Sequence, residues 1–72
     1  MEKYDYSKLL GRMKEMHETQ ASLAKKVGIS AASLNLRLGN TLNFKQDDML
    51  KIADALKIEP ADIPAYFFVH QL

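Results

Sequence analysis

Apolar residues recur at spacings of three and four along most of the chain, which is the rhythm of one buried face on an α-helix. The first such run consists of Tyr6, Leu9, Leu10, Met13 and Met16. The opposite positions carry charged side chains that we expect to face solvent: Lys8, Arg12, Lys14 and Glu15. No stretch of useful length alternates apolar and polar residues at a period of two, so strands are not expected. The pattern predicts an all-α protein.

Residues that cap or end helices divide this pattern into five short segments. Thr19 and Ser30 carry short oxygen side chains that suit helix N-caps, and Gly28 suits a left-handed helix end. Pro60 fits a first helical position, whereas Pro64 would kink or cut the helix that Pro60 begins. We therefore predict a single five-helix domain over residues 1–72, with helices at about 5–16, 20–27, 31–38, 45–57 and 60–66.

Three residues inside the predicted helices need an explanation of their own. Gly11 costs about 1 kcal/mol relative to alanine in a helix interior, so we favour close approach of a neighbouring helix over chance. Asp47 and Asp48 lie in the first turn of the fourth helix, where carboxylates complement the positive end of the helix dipole. Two adjacent acids could also serve acid/base chemistry or hold a cation, but the dipole accounts for both without a ligand.

The composition fits one small domain. A chain of 72 residues with 47% hydrophobic content can form one core and is too apolar for a disordered segment. It has no cysteine, which fits a reducing compartment. No apolar run approaches the roughly 18 residues that a membrane span needs, and the N-terminus lacks a signal-peptide pattern. We expect a soluble cytoplasmic protein that does not associate with membranes.

The formal charge of +1 is low for a small domain that binds nucleic acid. Residues 1–40 hold seven Lys and Arg against four acids, whereas residues 41–72 hold three against five. The first half is therefore mildly basic. Such a charge supports few phosphate contacts, and binding through few contacts is weak and salt-sensitive.

Little in the sequence supports catalysis or a bound metal. His17 and His70 are the only histidines, they stand far apart, and no cysteine could join them as a ligand. No serine has a convincing His/Asp arrangement around it, and no Gly-rich loop precedes a Lys-Ser or Lys-Thr pair. We predict no enzyme activity, no cofactor, no metal and no small-molecule substrate.

The most informative stretch is residues 20–34, whose pattern is helix, tight turn, helix. Ala24 is small at the position where the two helices would cross, and Gly28 permits a sharp turn. Four apolar residues would fill the angle between the helices: Leu23, Val27, Ile29 and Leu34. A pair packed in this way projects its second helix outward, as DNA-binding proteins do toward the major groove.

This stretch resembles the helix-turn-helix of the lambda-repressor/Cro type, a large family of small phage and bacterial regulators. The resemblance covers nearly the whole chain, with one helix before the pair and two after it. Residues 5–9 and 65–68 also resemble small phage switch proteins of Gram-positive hosts, of the modulator-of-repression type. The resemblance implies a lambda-repressor-like fold, a bacterial host cytoplasm, and a phage repressor as partner in the choice between lysis and lysogeny.

By the same resemblance, the second helix of the pair would present its outer residues to DNA or to a partner. The expected contact residues are Gln20, Ser30, Ala31, Ala32, Ser33, Asn35, Leu36 and Arg37. If DNA binds, the phosphate contacts would come from Gln20, Lys25, Lys26 and Arg37. Many relatives have an apolar residue where this chain has Arg37, so we expect Leu38 to take the inward position here.

Two functions compete for this outer surface. Ala31, Ala32 and Leu36 discriminate between bases weakly, and Asn35 is the one amide of the helix, so the surface suits a protein interface. It would then dock on the recognition helix of a partner repressor and block that helix from DNA, as an antirepressor does. The alternative is a Cro-like repressor that binds operator DNA itself. These residues could also be ordinary exposed positions, with Leu36 partly buried.

An apolar tail, Tyr-Phe-Phe-Val, occupies residues 66–69. We expect it to close the core across the first helix, and a dimer contact is the alternative. An antitoxin-like module has little support, because antitoxins with similar domains usually add a toxin-binding tail, and the fold needs the residues available here.

Overall fold

Five α-helices make up most of residues 3–72, which are the residues that the computed structural model describes. The helices are α1 Ser7–Glu15, α2 Gln20–Val27, α3 Ala31–Leu38, α4 Gln46–Ala55 and α5 Ile63–Phe67, with a 3₁₀ turn at Pro60–Asp62. The prediction of an all-α protein is confirmed. Met1 and Glu2, which the predicted domain includes, lie outside the described residues. No helix of residues 3–72 has the length and apolar character of a membrane span.

The core takes at least one side chain from every helix. Six large side chains are fully buried, and they come from α1, α2, α3, α4, the end of α4, and α5: Leu9, Leu23, Leu34, Ile52, Leu56 and Phe67. The rings of Tyr6, Phe44 and Phe67 pack edge to face, with centroids 5.3 and 5.2 Å apart. Burial raises the pKa of Tyr6, because the phenolate would lose its hydration there. The apolar face of each helix thus meets one shared core.

The ends of α1 to α4 share one backbone motif. Each is followed by a residue with positive φ, between 55° and 87°: His17, Gly28, Asn40 and Lys57. The next N–H group then donates to a carbonyl five residues back, in the pairs Glu18–Met13, Ile29–Ala24, Thr41–Leu36 and Ile58–Ala53. After two of these turns the chain enters the core directly, since Ile58 is buried and Ile29 packs against the core.

Three of the five helices have bounds that differ from the prediction. The first helix begins at Ser7 rather than residue 5, since the carboxylate of Asp5 accepts hydrogen bonds from the N–H and O–H of Ser7. These bonds lower the pKa of Asp5. The fourth helix ends at Ala55, because Lys57 has a left-handed φ of 55° and lies beyond the helix. The last segment is a 3₁₀ turn followed by α5, and Pro64 lies in the first turn of α5.

Gly11 is not a point of close helix packing, contrary to the prediction. The residue is exposed on α1, and a Cβ atom added there would meet no atom within 4 Å. The glycine therefore has no steric reason in this fold.

The two ends of the described chain pair with each other. The N–H of Asp5 donates to the carbonyl of Val69 at 2.6 Å, and the N–H of Gln71 donates to the carbonyl of Lys3 at 2.9 Å. Between these bonds, Tyr4 and His70 form an isolated antiparallel bridge. Phe67 is buried, as a core-closing tail requires, whereas Phe68 and Val69 stay about half exposed.

Candidate functional site

The α2–α3 pair is built by local hydrogen bonds at its start and in its turn. The hydroxyl of Thr19 accepts from the N–H of Ser22 at 3.0 Å, and the hydroxyl of Ser22 accepts from the N–H of Thr19 at 2.9 Å. Gly28 then ends α2 with a φ of 87°. The hydroxyl of Ser30 accepts from the N–H of Ser33 at 3.0 Å and caps α3. Both helices therefore begin and end where their capping chemistry predicts.

Side chains between the two helices divide α3 into an inner and an outer face. Leu23, Ala24 and Val27 of α2 are buried together with Leu34 of α3. The exposed residues on the opposite side form what we call the α3 outer face: Ser30, Ala31, Ala32, Asn35 and Leu36. Leu36 is the largest apolar side chain of this face and is 41% exposed. Ser33 is partly buried and belongs to neither face completely.

Arg37 does not lie on the outer face, contrary to the prediction. It is only 8% exposed, and its Nε lies 3.5 Å from Oδ2 of Asp48, which is 7% exposed. Its Nη1 donates to the carbonyl oxygen of Ser33 at 3.2 Å and also to the Ser33 hydroxyl. Leu38 is partly buried and packs against the core, as expected, but it does not replace Arg37 there, because Arg37 is buried too.

Asp48 has a role that the helix dipole alone does not explain. The dipole favours any acid in the first turn of α4, and the exposed Asp47 needs no other account. Asp48 points inward and neutralises the buried guanidinium of Arg37. The two adjacent acids thus have different environments, which their sequence positions do not distinguish.

Two further residues that were predicted to contact phosphate are engaged within the protein. Nζ of Lys26 lies 2.9 Å from Oε1 of Glu18, so its charge is largely balanced. Oε1 of Gln20 accepts a hydrogen bond of 3.1 Å from Nδ2 of Asn35, which links the start of α2 to the outer face. Lys25 is exposed and forms no ion pair within residues 3–72. With Arg37 buried, the α3 outer face carries no charged side chain.

Leu42 extends the apolar surface beyond the predicted residues. It is 42% exposed, and its N–H donates to the carbonyl of Leu36 at 3.2 Å. The chain therefore turns back at the end of α3, and a second exposed leucine lies in this turn. In the sequence, Leu42 stands out only as an isolated leucine in the polar loop of residues 40–43. The backbone turn is what brings this residue close to the end of α3.

Residues 3–72 contain no group of three or more His, Cys, Asp or Glu side chains that could hold a metal ion. His17 follows α1 in a left-handed conformation, and His70 lies in the bridge with Tyr4. The α3 outer face offers apolar side chains and a few hydrogen-bonding groups.

Comparison with known proteins gives two matches that cover nearly all of the chain. Residues 2–70 match the family described as "Protein of unknown function (DUF739)". The fold is similar to the solution structure of the modulator of repression (MOR) of the temperate bacteriophage TP901-1 from Lactococcus lactis, with a TM-score of 0.77 and 42% sequence identity. That similarity covers 90% of this chain and 88% of the phage protein. No curated protein matches the chain.

These two matches agree in extent, and the identity of 42% is high enough for a shared family rather than a shared fold alone. The chain belongs to the DUF739 family and is a relative of the TP901-1 modulator of repression.

Proposed function

We propose that this protein is a modulator of repression in the lysis/lysogeny switch of a temperate phage. It acts as an antirepressor by docking its α3 outer face on a partner repressor. Its relative from phage TP901-1 is a modulator of repression, which supports the role in repression. The observation that carries the docking face is the absence of charge on that face, which follows from the burial of Arg37 against Asp48.

An uncharged outer face favours a protein partner over DNA. Affinity for DNA depends on cations that neutralise phosphates, and base reading depends on directed donors and acceptors. Ala31, Ala32, Leu36 and Leu42 supply instead an apolar centre, and Ser30 and Asn35 supply polar groups at its margin. Protein interfaces combine an apolar centre with a polar rim in this way.

The α2–α3 pair in this proposal is a helix-turn-helix of the lambda-repressor/Cro type that binds protein rather than DNA. The partner is a phage repressor with its own helix-turn-helix, and occupation of its recognition helix prevents operator binding. The protein works as a single domain in the cytoplasm of the bacterial host, without enzyme activity or cofactor.

The variant Leu36→Asp tests the docking face. A carboxylate at the centre of an apolar interface loses its hydration, so we expect the affinity for the phage repressor to fall about 30-fold or more. Isothermal titration calorimetry with the repressor encoded next to this protein measures the affinity, and circular dichroism verifies that the fold is kept. Leu50→Asp is the matched control, because Leu50 is an equally exposed leucine (48%) on α4. Equal affinities for the two variants would contradict the proposed face.

A Cro-like operator binder is the second candidate. It is favoured by the exposed Lys25, which forms no ion pair within residues 3–72, and by the amide groups of Gln20 and Asn35. That function predicts specific binding of phage promoter DNA by the purified protein alone. Electrophoretic mobility shift over a salt series distinguishes the two functions. A clear preference for promoter DNA over random duplex would support the operator binder, and no preference would exclude it.

A further inference from the structure

The ion pair between Arg37 and Asp48 joins the last turn of α3 to the first turn of α4 inside the protein. Both residues are more than nine-tenths buried, and Nη1 of Arg37 is held by Ser33 one turn earlier on α3. Ser33 of the same helix holds the guanidinium by hydrogen bonds, and the carboxylate of Asp48 on the next helix attracts it by charge.

Stability alone does not explain a buried ion pair at this place. Two charges lose most of their hydration on burial, and well-packed apolar residues of similar volume often stabilise a protein equally or better. The pair also has a loose geometry, because Nε of Arg37 and Oδ2 of Asp48 make no hydrogen bond at 3.5 Å. Leu34, fully buried one turn earlier, shows that the core accepts apolar side chains on this side of α3.

The packing of α3 suggests what the pair does instead. Helix α3 packs mainly on α2, whereas its backbone has few close approaches to α4. The buried contacts with α2 are apolar and therefore non-directional, and the hydrogen bond from Asn35 to Gln20 joins exposed groups. Neither gives the last turn of α3 a buried directional contact. The Arg37–Asp48 pair is the ion pair that connects α3 to α4 within residues 3–72.

We propose that Arg37 and Asp48 are positioning residues, which set the rotation of α3 and so present Ala32 and Leu36 to the partner repressor. The inference rests on the proposed function, since the repressor is the partner whose binding depends on this face. Arg37 and Asp48 are buried, so they would affect binding through the position of α3 and not by contact with the repressor.

The double variant Arg37→Met/Asp48→Leu separates positioning from stability. It replaces the ion pair with apolar side chains, so we expect the urea midpoint to stay the same or rise. The affinity for the repressor should nevertheless fall about tenfold, because the outer face is no longer held in register. Amide hydrogen exchange of the free protein should become faster in residues 34–38 than in α2. A stable double variant with unchanged affinity and unchanged exchange would overturn the inference.

The variant Arg37→Lys gives an independent test, because it keeps the charge and loses the planar guanidinium that spans Ser33 and Asp48. We expect a folded protein with weaker repressor binding and faster exchange at the end of α3. Wild-type affinity and wild-type exchange in this variant would overturn the inference even if the double variant failed to fold. Asp47→Asn is the matched control, because it removes the neighbouring exposed acid of the same helix turn and should change neither measurement.

The variant Leu36→Asp distinguishes failure of the inference from failure of the proposed function. If Leu36→Asp binds the repressor normally, the docking face is wrong, whereas exchange in the free protein still reports whether the ion pair holds α3. If Leu36→Asp loses binding and the double variant keeps it, the docking face stands and the positioning inference fails.

Discussion

Basic residues of this protein differ in burial and in ion pairing, although all of them are cations. Arg37 and Lys26 are cations of the α2–α3 pair, yet one is buried against Asp48 and the other is paired with Glu18 at the surface. Lys25 and Lys26 are neighbours in the sequence, but within residues 3–72 only Lys26 forms an ion pair, with Glu18. The charge available to a ligand is therefore smaller than the count of basic residues indicates.

Gly11 offers a test at the scale of one residue. It lies at an exposed position in the middle of α1, with open space where a Cβ would be. Alanine therefore lowers the conformational entropy of the unfolded chain without causing a clash in the folded one. We expect Gly11→Ala to stabilise the protein by about 1 kcal/mol, measured by urea unfolding. Gly28→Ala is the opposing control, since its φ of 87° suits glycine, and it should destabilise by about 1 kcal/mol or more. Destabilisation by Gly11→Ala would show that something packs on this position.

Helices in this fold are joined by single side chains as well as by the shared core. Arg12 was predicted to face solvent, but its Nε donates to the carbonyl of Leu56 at 2.9 Å and its Nη2 to that of Lys57 at 3.3 Å. These carbonyls lie at the end of α4, where the helix leaves its last acceptors without partners. One guanidinium thus connects α1 with the end of α4, as Arg37 connects α3 with its start.

The connection made by Arg12 predicts a cost when it is removed. Arg12→Ala should destabilise the protein by about 1–2 kcal/mol, because charged donors to two carbonyl groups are lost. Chemical unfolding followed by circular dichroism measures the change. Lys14→Ala, an exposed substitution on the same helix, should stay within about 0.5 kcal/mol of the wild type. If the two variants have equal stability, the contacts of Arg12 contribute nothing to folding.

The molecule as a whole is closed by its own ends. The segments at residues 3–5 and 69–71 exchange two backbone hydrogen bonds, and Tyr4 lies against His70 with ring centroids 4.9 Å apart. This closure brings the tail to the start of α1, as the prediction of a core-closing tail requires. Phe68 of the same tail is 45% exposed, and a dimer contact through the tail is the alternative prediction.

Deletion of residues 69–72 tests the closure. The variant loses both backbone bonds but keeps the buried Phe67, so it should fold with a stability lower by about 1–2 kcal/mol. Thermal unfolding measures this loss, and sedimentation velocity of both proteins reports whether the tail also mediates a dimer. Deletion of Leu72 alone is the control, because that residue is fully exposed and should not affect stability. An unchanged unfolding temperature after the longer deletion would mean that the ends do not close the molecule.

The sequence by itself determined the helices and the turn of the α2–α3 pair. These features follow from contacts within a few residues: the caps at Thr19 and Ser30, the left-handed Gly28, and the three–four rhythm of apolar residues. Only the tertiary structure decided the environments of Arg12, Arg37 and Asp48, and with the burial of Arg37 the absence of charge on the outer face. Whether such a charged side chain is buried or exposed depends on partners that are distant in the sequence. A pattern of neighbouring residues does not show which distant residues will meet.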